Sequence, residues 1–331
     1  MKRTPAPSGG SDRETVAETG TDAALMARIC WSYFKEGQTQ EEIARRLGLT
    51  RKRINRILSE ARASGFVQIA IDSSVSIFAD LETNLVDKFG LQRAIVVPSP
   101  HPDLDVRAVV GAAAGQFVSE HLGEGASLGI TWGGTINAAA ANVLRRRGRD
   151  NSVVLLCGGL AKSTNVNPYD NAAMFARALD ATCFYVTAPM FAATAQLRDA
   201  LVNSDPVRSV LAMTRQLDMA LLSAVDLSVR SKALEYGVIS RDVWRSLREA
   251  GAVGDICGHY LQGDGRPVDH PIAARTVNPS LDDLRQVRRL VLAAGGRQKV
   301  SIIRAAILAR LCHVLITDEA AATGLLASSA N

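Results

Sequence analysis

Apolar residues first fall into register at residue 22. Leu25, Met26, Ile29, Cys30, Tyr33 and Phe34 recur at the three-and-four spacing of one helix face, and Gly37 ends the run. A second helix is expected from Thr39, whose hydroxyl can cap it while Glu42 reaches back, and it stops near Gly48. A third starts at Thr50, another capping residue, and runs to about Ser64. Gly65 leads into an alternating run over 66–71 that reads as a short strand. Ile77, Leu81, Leu85 and Phe89 form the stripe of a connecting helix closed by Gly90. Such a stripe is expected to pack on its own domain, though it would equally serve as a seam between two copies.

Beyond Gly90 the texture changes to alternation. Short β-rich runs at 94–97, 127–132, 153–157, 183–187, 290–293 and 314–317 are interleaved with Ala-rich helical stretches. That order predicts an α/β fold in which a doubly wound parallel sheet is covered by helices on both faces. The expected organisation is a disordered tail over 1–21, a helix-turn-helix domain over 22–73, a linker helix over 74–90 and a large α/β domain over 91–331. The strand after Gly65 suggests a winged variant of the first domain.

Composition agrees with two folded domains. The chain has 331 residues, 47% hydrophobic and 21% charged, but only 5% aromatic, so Ala, Leu and Val must build the core. A net charge of +5 permits nucleic-acid binding without establishing it. Five scattered cysteines without a Cys-x-x-Cys spacing predict reduced thiols and a cytoplasmic protein. The polar first 20 residues and the lack of any membrane-length apolar run leave no expectation of export or of membrane contact.

Residues 40–59 carry the first candidate chemistry. Ala44 is small where two helices would cross, Gly48 occupies the turn, and Ile43, Leu47, Leu49, Ile54 and Ile57 supply a shared apolar core. The remaining positions around the third helix are Thr50, Arg51, Lys52, Arg53, Asn55 and Arg56. Long donors at a helix N-terminus suit phosphates and the acceptor-rich edge of guanine, so these six residues are the expected DNA contacts. Basic residues alone would fit the solvated face of any helical hairpin. Their register with Ala44 and Gly48 decides for operator DNA.

The second candidate is an anion site. Gly129-Ile-Thr-Trp-Gly-Gly-Thr135 passes from a strand into a helix, placing the amides of Gly133 and Gly134 and the hydroxyl of Thr135 at a helix N-terminus. Gly158 and Gly159 repeat the strand-to-glycine transition, and Gly295-Gly-Arg-Gln-Lys299 puts Lys299 in the first turn of a later helix. Three such transitions in one sheet favour a phosphate-bearing ligand. Asp318 and Glu319 sit where a strand ends and a helix begins, so no catalytic pair is expected there. The five histidines have no metal-ligand spacing, and neither a metal nor a cofactor is expected.

These motifs resemble those of the SorC family of sugar-responsive transcriptional regulators. The resemblance runs from about residue 25 to the C-terminus. Its most specific stretches are the Gly129–135 run, Asn167-Pro-Tyr-Asp-Asn171, Ala188-Pro189, Gly251-Ala-Val-Gly-Asp255, and a block from Ala293 to Glu319 containing Ile303-Arg-Ala-Ala-Ile307. The chain departs from the pattern at Leu222-Ser-Ala-Val-Asp226, where a glycine-containing loop is usual, and at Cys157, where some relatives carry a basic residue. The resemblance implies an effector domain similar to sugar-phosphate isomerases. It also implies a regulator of a carbohydrate or polyol operon, such as a repressor, gated by a phosphorylated sugar or polyol. Gly133, Gly134 and Thr135 would cradle the phosphate, Lys299 would neutralise it, and Asp255 would bond effector hydroxyls. Family members commonly assemble as tetramers of dimers, so a homodimer or homotetramer is expected. The alternative is an isomerase-like enzyme with an accessory DNA-binding domain, for which Asp255 is the one candidate base.

Overall fold

The computed structural model describes residues 12–67, 78–101, 105–148, 150–161 and 166–328, and the chain forms two compact units, Met1–Ala70 and Ile71–Asn331. Among the described residues the first unit holds three helices, α1 (Asp12–Phe34), α2 (Gln40–Leu47) and α3 (Arg51–Ala63). Helix α1 begins at Asp12 rather than at Asp22, so part of the expected tail is helical. No proline interrupts 12–22, and extending a helix is far easier than nucleating one. Thr39 and Glu42 form the expected capping box, with the Thr39 amide 2.7 Å from a Glu42 carboxylate oxygen. Gly48 ends α2 at φ 65°, a left-handed backbone that lets the chain turn sharply into α3. Ile29, Cys30, Ile43, Ala44, Ile54, Ile57, Leu58 and Ala61 fill the space between the three helices. Residues 66–67 form a bend, and the rest of the strand expected over 66–71 lies outside the described residues, as does Ile77.

The second unit opens with α4 (Ala79–Phe89), β1 (Arg93–Val97), α5 (Val106–His121), β2 (Ser127–Ile130), α6 (Gly134–Asn142), β3 (Ser152–Leu155), α7 (Pro168–Leu179) and β4 (Thr182–Phe184). It continues through α8 (Ala195–Asn203), α9 (Asp205–Ala212), β5 (Met219–Asp226), α10 (Lys232–Glu235), α11 (Arg241–Glu249), β6 (Ala252–Ile256) and β7 (His259–Gln262). The last elements are α12 (Leu281–Arg285), β8 (Leu290–Ala293), α13 (Val300–Leu308), β9 (Val314–Asp318) and α14 (Glu319–Ala327). Seven strands pair in parallel in the order β1-β9-β8-β5-β2-β3-β4.

Alternating side chains feed two separate cores. Leu128, Ile130, Val153, Leu155, Leu221 and Val291 meet α5, α6 and α7 on one face. Val154, Leu156, Ala220, Leu222, Leu290 and Leu292 meet α4, α12, α13 and α14 on the other. Both faces being apolar explains why the strands read as near-continuous hydrophobic runs. The stripe on α4 packs on this unit: Leu85 is buried, and Lys88 Nζ donates to the Leu326 and Ser328 carbonyls at the end of α14, at 2.8 and 2.7 Å.

Two features position the site. Helices α5 and α6 touch through glycines, since a Cβ on Gly111 would lie 2.4 Å from that of Ala138. Strand β5 is parallel in the sheet at its start but runs on to pair antiparallel with β6, Val225 opposite Asp255. The β6–β7 hairpin turns at Cys257 and Gly258, both with positive φ, as a two-residue turn between twisted strands requires.

Candidate functional site

The DNA-facing candidates lie together on α3. Thr50 caps the helix by accepting the Arg53 amide at 3.2 Å, which frees the first turn to present Arg51, Lys52 and Arg53. All six expected contacts are exposed, while Ile54, Ile57 and Leu58 anchor the opposite face. Arg56 pairs with Glu60 at 3.6 Å, with both side chains more than half exposed, a contact too weak to hold the guanidinium from another partner. Arg46 on α2 behaves differently: it donates to Ser32 and Glu36 and so ties α2 to α1.

The strand order places a second site. From β2 the chain moves outward to β3 and β4, then returns to the other side of β2 as β5. In doubly wound sheets such a switch point opens a crevice at the carboxyl ends of the strands. There Trp132, Gly133, Gly134 and Thr135 meet Ser223, Ala224 and Val225 from β5, with Arg107, Lys232 and Lys299 around them. The space is small, about 30 Å³, room for roughly two water molecules.

Gly133 enters α6 at φ 113° and ψ 164°, which a side chain would strain, and no side chain caps the helix. Its carbonyl accepts from the Asn171 side chain at 3.2 Å, and Asn171 in turn accepts from Asn137 at 3.0 Å. The Ser223 hydroxyl donates to the Trp132 carbonyl at 2.6 Å, and its amide donates to the Thr131 hydroxyl at 3.2 Å. These bonds hold the turn; contrary to expectation the Gly133 amide is spent on the Val166 carbonyl at 3.2 Å, which leaves the amides of Gly134 and Thr135 for the crevice.

Lys299 ends a 3₁₀ turn (Arg297–Lys299) just before α13 and is 9% exposed. Among the described residues its ammonium makes no hydrogen bond or ion pair. Burial pulls its pKa below the usual lysine range, the Asp226 and Asp105 carboxylates oppose that fall, and the Arg107 cation adds to it. A buried ammonium with no hydrogen-bond partner among the described residues, beside uncapped amides, is an arrangement able to hold an anion.

Asp255 does not line this crevice, contrary to expectation; it is buried on β6 and bonded to Trp132, which does. It is 3% exposed, one carboxylate oxygen meets no donor, and the Trp132 indole and Gly258 amide donate to the group. Burial dominates and raises its pKa to about 7. Gly158 and Gly159 do not join the site, contrary to expectation. Their amides are committed to the carbonyls of Val277 and Ala188 at 3.0 and 2.8 Å, and a Cβ on Gly159 would lie 1.9 Å from the Tyr169 ring. These glycines let backbones and an aromatic ring approach closely. Sequence reasoning missed Arg107, Ser223 and Lys232. Each lies far along the chain from the Gly-Gly-Thr turn and is recruited only by the sheet topology.

A larger depression of about 410 Å³ lies at the amino ends of β2, β5 and β8, lined by His121, Glu124, Asp218, Arg288 and Arg289 among others. Arg288 and Asp218 already pair at 3.0 Å, and Asp218 also holds the Ser127 amide. That pairing takes up one carboxylate and one guanidinium of the lining, and among the described residues no helix N-terminus opens there, so the smaller crevice is the better candidate.

Each unit matches a known family. Residues 73–327 match the sugar-binding domain family, and residues 29–64 match sigma-70 region 4. The transcriptional regulator LsrR of Klebsiella pneumoniae subsp. pneumoniae is 33% identical over 310 residues, covering 92% of this chain and 93% of the relative. The erythritol catabolism regulatory protein EryD of Brucella abortus is 29% identical over 307 residues, covering 92% and 97%. The full-length sorbitol operon regulator SorC of Klebsiella pneumoniae superposes with a TM-score of 0.70 at 26% identity, over 92% of this chain and 99% of that one. With a helix-turn-helix followed by a sugar-binding domain, the chain belongs to the SorC family of sugar-responsive transcriptional regulators.

Proposed function

We propose that this regulator binds operator DNA through α3 and is gated by a small phosphorylated sugar or polyol in the crevice between β2 and β5. The observation that carries the reading is the buried, unpartnered Lys299 beside the uncapped N-terminus of α6. A phosphate would accept from the amides of Gly134 and Thr135 and from the Thr135 hydroxyl, while Lys299 supplies a full positive charge. Asp255 does not line the crevice, so it would hold the Trp132 wall in place rather than bond an effector hydroxyl. The likeness to EryD, a regulator of erythritol catabolism, and to SorC, a regulator of a sorbitol operon, supports a polyol-derived effector.

The crevice's size supports gating. About 30 Å³ is far less than a sugar phosphate fills, so binding must displace the walls. A ligand that fits only the widened form shifts the protein toward that form by its difference in affinity. The chain works in the cytoplasm as a homodimer or homotetramer reading a roughly palindromic operator. The geometry does not favour an isomerase: Asp255 is sealed behind Trp132, and His259 on the same hairpin has its pKa lowered to about 4 by burial and bonds the Pro279 carbonyl at 2.9 Å. A thermal-shift screen of sugar and polyol phosphates beside their unphosphorylated parents tests the reading. The phosphorylated member of a pair should stabilise the protein and alter operator binding. Equal response to the parent polyol refutes the phosphate.

A further inference from the structure

Two cations of the crevice, Arg107 and Lys232, are ones that the motifs do not point to; Lys232 is spent on Glu235, and Arg107 is not spent in full. It stands in the first turn of α5, where Asp105 caps the helix by accepting the Arg107 amide at 3.0 Å. The same carboxylate grips the guanidinium, with Nε at 2.9 and 2.8 Å from its two oxygens and Nη2 at 2.5 Å. Tyr236 adds a further hydrogen bond, and these partners hold the group firmly protonated. One nitrogen remains. Nη1 is buried and donates to nothing among the described residues.

That nitrogen lies against the first residue of α6, because a Cβ built on Gly134 would be 2.6 Å from it. The close α5–α6 contact at Gly111 and Gly115 fixes the approach. Gly134 is thus required for a second reason besides its amide: any side chain would push the guanidinium away. Arg107 is also close enough to Lys299 to depress the lysine's pKa. Asp226 and Asp105 oppose that effect, so each cation already has a carboxylate near it, and what the crevice offers is unused donors rather than unbalanced charge. A bound anion would draw on both cations at once.

We propose that Arg107 is a second phosphate-binding residue: Asp105 orients it, and Nη1 donates to the anion held by Lys299 and α6. The proposal rests on the phosphate reading above and deepens it. Two cations and a helix N-terminus match a doubly charged phosphate monoester better than a carboxylate or an uncharged polyol. Arg107 would then set specificity for the dianion, with Asp105 as its positioning residue.

The test uses inorganic phosphate as the probe, titrated into the full chain and followed by ³¹P NMR. Arg107→Gln should weaken phosphate binding at least tenfold. Arg107→Lys should recover little, since an ammonium gripped by Asp105 has no second nitrogen to offer. Asp105→Asn should weaken binding while leaving the guanidinium charge in place. Circular dichroism melting of each variant checks that it folds, and Arg107→Lys serves if Arg107→Gln does not. If Lys299→Met loses phosphate while Arg107→Gln and Arg107→Lys bind it as the wild type does, the site stands and the role of Arg107 is wrong. If the wild type does not bind phosphate, or all variants bind it equally, the phosphate reading itself falls.

Discussion

Asp255→Asn exchanges a buried, titrating carboxyl for an amide of the same shape, and its effect must depend on pH. The carboxyl's pKa rises from 3.8 in the unfolded chain to about 7 in the fold. Between those values the folded chain keeps a proton that the unfolded chain has released, so stability falls as pH rises. The contribution is fully present below 3.8 and fully lost above about 7. Each pH unit in that window is worth about 1.4 kcal/mol. The asparagine has no such slope. It carries a constant penalty instead: with its oxygen kept on the Trp132 indole, its amide nitrogen occupies the place of the oxygen that now meets no donor. A buried unpaired donor costs about 1–3 kcal/mol. The variant should therefore be equal to or less stable than wild type at about pH 5. The difference should then move toward the variant by about 3 kcal/mol by about pH 8.5. Urea denaturation of both proteins at the two pH values measures this directly, since other titrating groups cancel in the difference. A stability gap that does not change with pH would refute the assignment of Asp255 as a buried acid of raised pKa.

Three further outcomes follow from the geometry. The double change Arg51→Ala/Arg56→Ala removes two exposed donors of α3 and should cost about 1–3 kcal/mol of operator affinity per base-reading arginine, seen in fluorescence-anisotropy titrations at physiological salt; unchanged affinity would remove α3 from the interface. Lys299→Met should weaken the true effector about ten- to a hundredfold in calorimetry, and equal affinity would place the phosphate elsewhere. Gly159→Ala should destabilise the second unit by at least about 1–3 kcal/mol, because its new methyl would overlap the Tyr169 ring; an unaltered urea midpoint would show that the ring moves freely aside.

The helical spacing of Ile43, Ala44, Ile54 and Ile57 and the caps at Thr39 and Thr50 were legible because they are local signals, and each is where the periodicity put it. The parallel sheet was legible for the same reason: strands buried on both faces leave unbroken apolar runs. Its order was not. Nothing in the residues of β5 says that it returns beside β2, and that return is what brings Ser223 and Val225 to the Gly-Gly-Thr turn. The β6–β7 hairpin was read only as a motif, because a short antiparallel pair attached to the far half of a parallel strand has no periodicity of its own. Gly158 and Gly159 misled because a glycine needed for a bare amide and one needed for close packing look alike in sequence. Arg107 was invisible since its partner, Asp105, makes the pair look like an ordinary helix cap.

The bonds from Lys88 to the carbonyls at the end of α14 tie the first helix of the second unit to its last. The contact joins the carboxyl ends of both helices, and the one ammonium takes up three carbonyls that α14 leaves open at its end. It is a latch for α4: Lys88→Met, which keeps the stem and loses the donors, would loosen this helix from the unit without touching a residue of the sheet.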